Sequence, residues 1–353
     1  MLTENKSKIK EDYRKFTWRK IIFILISTLL IFIVSSISVT LGSYSIAITK
    51  VYSIIFSGIF QGHDVRNTEE TVVWALRLPR IAMGILAGIA LGMAGAVMQG
   101  ILRNPLASPT TIGISAGAGL GAALAILVGV GITGGKFLLI GNAFIFAMIP
   151  AMVILGLARF KKTTPETMIL AGIAMQFIFS AATSLLQYFS QAEALKSMVV
   201  WLMGDLGRAK WDDISAAFIL IAICAPLLIW KSWDLNVMGA GDDTAKSLGV
   251  NVEHNRLFLM MLASLLTATI ICFTGIIGFI GLVAPHICRI IIGGDNRFLI
   301  PASGLFGAAF LLFADVIART IIAPIIIPVG IITACAGGPL FLYLIIRKKK
   351  EYW

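Results

Sequence analysis

Residues 273–297 carry the sequence FTGIIGFIGLVAPHICRIIIGGDNR, and this stretch decides the class of fold. Nearly every residue in it is apolar or glycine, yet it also contains Pro285, His286 and the charged Arg289. A helix that faces only lipid does not accommodate an arginine cheaply, so this segment is expected to pack against other helices and end near a polar surface. The stretch therefore predicts one helix of a membrane-spanning bundle.

The composition extends this prediction to the whole chain. Of 353 residues, 58% are hydrophobic and 13% are charged, and the mean hydropathy is +0.93. Soluble proteins contain about 25% charged residues, so most of this chain must lie where charge is costly. We predict an all-α integral membrane protein with about ten transmembrane helices, because apolar runs of bilayer length recur along it. The predicted spans are residues 20–40, 79–100, 109–130, 137–158, 167–188, 214–231, 257–275, 278–293, 299–319 and 328–346.

Basic residues cluster beside the predicted spans and indicate their orientation. Because lysine and arginine favour the cytoplasmic side of a membrane, both termini are predicted to be cytoplasmic. The net charge of +11 is then mainly a topology signal, and nucleic acid is not an expected partner. The clusters are Lys6, Lys8, Lys10, Arg14, Lys15, Arg19, Lys20, Arg159, Lys161, Lys162, Arg347, Lys348, Lys349 and Lys350.

The topology predicts a single transmembrane domain over residues 1–353, in contact with membrane lipid. Its parts outside the membrane are a cytoplasmic tail at 1–19, a long cytoplasmic loop at 232–256 and a second cytoplasmic tail at 347–353.

The long loop contains a short helix pattern, MGAGDDTAKSLGV, at residues 238–250. Asp242 or Asp243 can cap a helix start, Ala245 to Leu248 continue the helix, and Gly249 can end it. A short helix between glycines suits a lever on which another protein presses. A structural linker is the alternative interpretation.

Residue types that carry chemistry are scarce in the predicted spans. The four cysteines and three histidines have no metal-ligand spacing, and there is no GxxxxGK[ST] motif, so no metal site, cofactor or ATPase activity is expected in this chain. A transporter driven by protons or sodium usually needs an ionisable residue deep in the membrane, and no carboxylate lies in the middle of a predicted span. An intramembrane enzyme is disfavoured because HExxH and paired carboxylates are missing.

Small residues recur every fourth position in two predicted spans and predict close helix packing. A repeat of four places them on one helix face, where neighbouring backbones can approach. The residues are Gly84, Gly88, Gly92, Gly113, Gly117 and Gly121.

A polar stripe runs along the fifth predicted span. Gln176, Ser180, Thr183 and Gln187 share one helix face at spacings of i, i+4, i+7 and i+11. Polar side chains are costly in hydrocarbon, so the stripe is expected to face the bundle interior or a water-filled pathway. Hydrogen bonding between helices is the alternative to lining a pathway.

Charged residues lie at one end of two other spans. Arg77 and Arg80 belong to LRLPR at the external start of the second span, while Asp315 and Arg319 are spaced i, i+4 at the external end of the ninth. Arginine recognises carboxylates in bidentate geometry, so three arginines on one rim could bind acidic residues of a partner. Arginines that extend to the membrane interface are the alternative.

Several motifs, in order, resemble the FecCD-type permease subunit of ABC importers, a family that takes up iron-siderophores, haem and vitamin B12. The resemblance covers residues from about 41 to 350. RLPR precedes a glycine-rich helix, then GAVMQGILRNPLASP (95–109), GFIGLVAPHICR (278–289) and DNRFLIP (295–301) follow, and the last two motifs are ADVIAR (314–319) and PVGIITACAGGP (328–339).

The resemblance implies a bundle like that of the vitamin B12 permease, with a second permease subunit, identical or homologous, and two separate ATPase subunits that bind ATP and Mg²⁺. An extracytoplasmic solute-binding protein would deliver the cargo. The resemblance implies that the solute-binding protein docks at Arg77, Arg80 and Arg319, and that the fifth and tenth helices line the pathway. It also implies a cytoplasmic gate near Asn104, Pro105 and Leu106. The residues implied to contact the ATPase are Asp242, Asp243, Ala245, Leu248 and Gly249.

The expected mechanism is alternating access driven by ATP in the partner chains. Amides and hydroxyls suit a chelated metal better than a bare ion, which would need carboxylate, thiolate or imidazole ligands. We expect import of a ferric siderophore across the cytoplasmic membrane, with cobalamin, haem and molybdate as alternatives.

Overall fold

The computed structural model describes residues 2–42, 44–61, 67–132, 134–158, 160 and 164–347, and every regular element in these ranges is helical. Two π-helical segments, Val72–Arg77 and Leu124–Val128, and three 3-10 turns, Pro109–Ile112, Gly135–Phe137 and Leu206–Arg208, adjoin the α-helices. The α-helices are α1 Leu2–Thr40, α2 Ile48–Gln61, α3 Thr68–Thr71, α4 Leu78–Ile101, α5 Ile114–Ala123, α6 Leu138–Leu157, α7 Pro165–Tyr188, α8 Ala192–Leu202, α9 Trp211–Trp230, α10 Ser232–Gly239, α11 Asp242–Ser247, α12 Val252–Thr274, α13 Ile280–Ile292, α14 Asn296–Thr320 and α15 Val329–Arg347.

Seven helical segments in the described residues are long and apolar enough to cross a membrane. Each of the ten predicted spans overlaps either one of these or a shorter apolar helix, whereas the apolar helix α2 was not predicted. The long segments are Phe16–Thr40, Thr68–Ile101, Leu138–Leu157, Pro165–Tyr188, Trp211–Trp230, Val252–Thr274 and Asn296–Thr320, and the shorter helices are Ile48–Phe60, Ile114–Val128, Ile280–Ile292 and Val329–Tyr343.

The structure adds detail to the predicted segments outside the spans. The predicted cytoplasmic tail at 1–19 is helical from Leu2 as the start of α1, and the predicted loop at 232–256 contains α10, α11 and the first turn of α12. Arg159, Lys161, Lys162 and residues 348–353 lie outside the described residues, so the orientation of the termini remains a prediction.

The helix α4 occupies the centre of the bundle and packs against α12, α13 and α14. Its glycines touch neighbouring backbones: an added Cβ would lie 2.3 Å from Ala308 Cα at Gly88 and 2.1 Å from the Ser303 carbonyl oxygen at Gly92. Lipid tails are as apolar as leucine, so close van der Waals packing of this kind holds membrane helices together. The predicted packing role of this glycine repeat is confirmed.

The glycine repeat of α5 has the same role. An added Cβ at Gly117 or Gly121 would lie 2.3 Å from the carbonyl oxygen of Phe146 or Asn142 in α6. The pairing of α5 with α6 supports α7, which contacts α5 with one face and leaves most of its surface exposed.

The helix α13 is too short to cross a bilayer alone, because its 13 residues extend only about 20 Å. The segment between α12 and α13 is not helical and contains two residues with positive φ, Gly275 at 74° and Phe279 at 68°. Non-helical backbone at membrane depth is tolerated where it is buried in protein or lines a cavity. Residues Ile277 to Phe279 line a cavity of about 200 Å³ beside α4 and α12.

Candidate functional site

Two of the predicted rim arginines converge on one buried carboxylate. Asp315 of α14 is fully buried and accepts hydrogen bonds from Arg80 Nε at 2.8 Å and from Arg319 Nε at 3.0 Å. The predicted i, i+4 pair of Asp315 and Arg319 is confirmed. Charge-assisted bonds of this kind are stronger than neutral ones and fix α4 against α14.

The C-terminal end of α1 is bound by two of the same arginines, Arg77 and Arg319. Arg77 donates to the carbonyl oxygens of Val39 at 2.8 Å and Thr40 at 3.1 Å, and Arg319 donates to that of Leu41 at 2.9 Å. The last carbonyls of a helix lack intrahelical partners and carry partial negative charge, so cations stabilise them.

These contacts correct the expectation of accessible rim arginines. Arg77, Arg80 and Arg319 are only 5%, 7% and 5% exposed, because they are packed against the end of α1 and Asp315 and donate hydrogen bonds there. All three arginines nevertheless line one cavity of about 270 Å³. We call Arg77, Arg80, Arg319 and Asp315 the arginine cluster.

The short helix predicted in the long loop is present as α11. It begins after Gly241, whose φ is 119°, and is followed by Gly249, whose φ is 84°, and both angles favour glycine. Ala245 is buried against Met238 and Val252, whereas Leu248 is 67% exposed. The helix is thus anchored by one small residue and presents an apolar side chain outward.

The expected aspartate cap of α11 is wrong. Gly241 is the N-cap residue and makes no side-chain cap, while Asp242 lies in the first turn and Asp243 is exposed. The Asp242 carboxylate instead pairs with Arg103 and with Arg256, whose Nη2 lies 2.9 Å from Oδ1 and 3.1 Å from Oδ2. We call Arg103, Asp242 and Arg256 the Asp242 cluster.

The pKa of Asp242 follows from these contacts. Burial acts to raise it, but the hydrogen bonds and charges of Arg256 and Arg103 outweigh burial and hold the pKa of Asp242 below its ordinary value. The carboxylate is therefore ionised at neutral pH and keeps both arginines in place.

The predicted gate residues form a compact turn between α4 and the Pro109–Ile112 turn. The Leu106 N–H donates to Asn104 Oδ1 at 2.9 Å, and the Ala107 N–H donates to the Asn104 carbonyl at 3.0 Å. Pro105 is half-buried and Leu106 is exposed. Since Arg103 precedes this turn and contacts Asp242, the structure brings the predicted gate and the predicted coupling helix together.

The polar stripe of α7 lies partly on the outside of the chain. Gln176 and Ser180 are exposed, Gln187 is half-buried, and Thr183 is buried with its hydroxyl donating to the Phe179 carbonyl at 2.8 Å. A location in the interior of this chain is therefore wrong for Gln176 and Ser180. The packing face of α7 includes Gly172, which lies against Thr111 and Ile112, and Thr183. Gln176 and Ser180 lie at the edge of this face and outside its contacts, which leaves them exposed.

Two arginines of the site were missed by sequence reasoning. Arg103 was quoted only as part of the motif GILRNP, and Arg256 in the first turns of α12 was not singled out. The one feature of the sequence that could have indicated them is a positive charge at the end of an otherwise apolar helix. Their shared partner lies 139 residues from Arg103, and a single sequence does not reveal such a pairing.

Residues 28–347 match the FecCD transport family over most of the chain. The chain belongs to the FecCD transport family. It is an ABC importer permease and a multi-pass protein of the cytoplasmic membrane.

Two curated relatives of this FecCD permease resemble it over most of their length. A protein of Methanocaldococcus jannaschii, provisionally named an ABC transporter permease, is 48% identical over 97% of this chain and 99% of its own. The hemin transport system permease of Yersinia pestis is 39% identical over 80% of this chain and 84% of its own.

A solved structure shares the fold of this FecCD permease. It is described as an inward-facing conformation of an ABC transporter, provisionally assigned to the metal-chelate type. The TM-score is 0.81 and the identity 32%, over 92% of this chain and 99% of the other.

Proposed function

We propose that this permease moves a metal chelate, most specifically a ferric siderophore, inward as one of two permease subunits around a shared pathway. The observation that carries this proposal is the exposed polar stripe of α7. Gln176 and Ser180 are exposed on a helix that also exposes Phe177 and Ile178. Because exposed amides and hydroxyls are costly against lipid, a second permease subunit and a wet pathway between the two are the best cover for this face.

The chemistry of the stripe supports a chelate over a bare ion. Amide and hydroxyl groups are weak ligands for Fe³⁺ but can form hydrogen bonds with a bulky polar solute. Among the described residues, no group of three or more His, Cys, Asp or Glu could hold a metal. Haem, cobalamin and molybdate are the alternative cargoes.

The free energy of ATP hydrolysis in the partner chains is proposed to reach the permease through movement of α11. Asp243, Leu248 and Gly249 are exposed, while Ala245 fixes the helix to α10 and α12. This arrangement supports contact between α11 and an ATPase subunit that binds ATP and Mg²⁺. The turn at Asn104, Pro105 and Leu106 is the proposed cytoplasmic gate.

The solute-binding protein is proposed to dock at the arginine cluster. The guanidinium groups of Arg77, Arg80 and Arg319 carry three positive charges. Two carboxylates lie near them: Asp315, and Asp205 at 3.6 Å from Arg80 Nη2. These five groups together carry one excess positive charge. An acidic side chain of the partner complements this excess, and the arginines also keep the α1 end in shape for docking.

The proposal is tested by uptake into proteoliposomes that contain the permease, its ATPase subunits and its solute-binding protein. ATP-dependent accumulation of a radio-iron siderophore, without accumulation of haem, cobalamin or molybdate, is the expected result. Uptake of one of the other cargoes alone would retain the importer and overturn the iron assignment. No ATP-dependent uptake of any of them would overturn the metal-chelate proposal.

A further inference from the structure

We infer that Arg103 is a positioning residue that transmits movement of α11 to the gate turn. This inference rests on the proposed function, in which α11 contacts the ATPase and residues 104–106 form the gate. It goes further by naming the side chain that joins the two.

Arg103 reaches both helices of the cytoplasmic loop with one nitrogen. Its Nη2 donates to the Met238 carbonyl at 2.6 Å and to Asp242 Oδ1. Met238 lies at the C-terminal end of α10, where the helix dipole is negative, and Asp242 lies in the first turn of α11. Both acceptors attract the guanidinium, so the side chain bridges the junction between α10 and α11.

The carboxylate of this junction is also tied to the bundle. Arg256 of α12 is 1% exposed and donates to both oxygens of Asp242. Asp242 thus connects α12 on one side with Arg103 on the other. A displacement of α11 must either carry the gate turn with it or break a charge-assisted hydrogen bond.

Local hydrogen bonds hold the gate turn together and join it to the end of α4. The Asn104 N–H donates to the Gln99 carbonyl at 3.2 Å, and Asn104 itself accepts bonds from the N–H groups of Leu106 and Ala107. Arg103 precedes this turn with a φ of 45°, in the left-handed region that side chains rarely adopt. This conformation places Arg103 between the end of α4 and the turn, and its side chain on α11.

A purely structural role fits these exposures less well. The side chains of Arg103 and Asp242 are 28% and 32% exposed. Ion pairs that reach solvent contribute little to stability, because water screens them. A partly exposed pair of this kind can break and re-form during a transport cycle, unlike the buried contacts of Asp315.

The test follows the gate in the assembled importer and does not depend on the cargo. Leu106→Cys reports the gate, and Cys335→Ser removes the exposed native cysteine, since Cys224, Cys272 and Cys288 are buried. The rate of labelling by a charged maleimide is measured with and without a non-hydrolysable ATP analogue. We expect the analogue to change the rate at least about fivefold in this background, and less than about twofold after Arg103→Gln.

The matched control is Lys231→Gln. Lys231, the N-cap residue of α10, pairs with Asp234 at 2.7 Å, with side-chain exposures of 21% and 29%, and this pair joins neighbours in the sequence and not the gate turn. The nucleotide response is expected to remain in this variant. A loss as large as that of Arg103→Gln would overturn the inference, because any cytoplasmic ion pair would then suffice.

A full nucleotide response in Arg103→Gln would overturn the inference alone and leave the proposed function intact. A missing response in the Leu106→Cys background would overturn the gate assignment and the inference together. Should Arg103→Gln fail to assemble with the ATPase, Arg103→Lys decides. It keeps the charge but loses the length and planar geometry of the guanidinium, so an intermediate response is expected and an undiminished one contradicts the inference.

Discussion

Two carboxylates in this protein each form ion pairs with two arginines, but they differ in burial. Asp315 is fully buried between Arg80 and Arg319, whereas Asp242 is 32% exposed between Arg103 and Arg256. A buried ion pair leaves an uncompensated charge when one partner is removed, whereas an exposed one is screened by water. The first arrangement therefore suits a fixed joint and the second suits a movable one.

Asp315→Asn is expected to destabilise the permease by about 3–5 kcal/mol, because Arg80 and Arg319 lose their shared counter-charge in a buried site. The measurement is thermal unfolding of the purified protein in detergent. Asp205→Asn is the control, since Asp205 lies 3.6 Å from Arg80 and is 28% exposed, and its effect is expected to stay below about 1 kcal/mol. Equal losses in both variants would contradict the fixed-joint interpretation.

Asp295 makes the stability depend on pH. Burial acts to raise its pKa, but hydrogen bonds from Arg297, Asn236 and Lys20 outweigh burial and hold the pKa of Asp295 far below its ordinary value. A carboxyl group whose pKa is lowered by folding stabilises the protein above its unfolded pKa, and this stabilisation is lost as the pH falls.

The Asp295→Asn variant is expected to melt at a lower temperature than the native protein at neutral pH. The difference should persist down to about pH 4 and then shrink at lower pH, as protonation removes the advantage from the native protein. Melting temperatures in detergent across this range test the prediction. A difference that widens on acidification would contradict it.

At the scale of helices, local sequence patterns predicted most helix positions and packing faces. They could not predict contacts between residues far apart in the sequence. The glycine repeats and the position of α11 followed from spacing alone, because helix faces and glycine ends are local properties. The amphipathic helix α2 was missed, since its 14 residues are shorter than a membrane span. The break between α12 and α13 was predicted, but the backbone angles of Phe279 were not.

Gly92→Ala is expected to destabilise the bundle by about 1–3 kcal/mol, because its Cβ would lie 2.1 Å from the Ser303 carbonyl oxygen and force α4 and α14 apart. Gly156→Ala in α6 is the matched control, because nothing lies within 4 Å of the added Cβ. Alanine there is expected to be neutral or to stabilise by about 0.5–1 kcal/mol. Thermal unfolding of both variants measures the contrast, and a loss of similar size in Gly156→Ala would contradict it.

At the scale of the molecule, the bundle has a buried centre and exposed outer helices. The helices α4, α12 and α14 are largely buried within the chain, whereas α7 is largely exposed. The composition of the sequence predicted the membrane class and the resemblance predicted the family. The single chain could not show which helix faces the outside, because the polar stripe of α7 is compatible with an internal or an external pathway.

The exposed face of α7 is expected to meet a second permease subunit, identical or homologous. Ser180→Cys, in the Cys335→Ser background, should be joined to a cysteine of the facing α7 by a short bifunctional maleimide and give a permease dimer on denaturing gels. Ile219→Cys in α9, at a position 59% exposed, is the control and should give much less dimer. Efficient cross-linking at position 219 with none at 180 would place the interface elsewhere.

The hydrogen bond from Arg319 to the end of α1 has a consequence for biosynthesis. Leu41 emerges from the ribosome 278 residues before the arginine that binds its carbonyl oxygen, and Arg77 emerges long before Asp315 completes the cluster. During most of translation, the final carbonyl oxygens of α1 can therefore accept hydrogen bonds from Arg77 or water but not from Arg319. Chains that stop before α14 lack both Asp315 and Arg319, so the joint between α1, α4 and α14 can form only after α14 has been made.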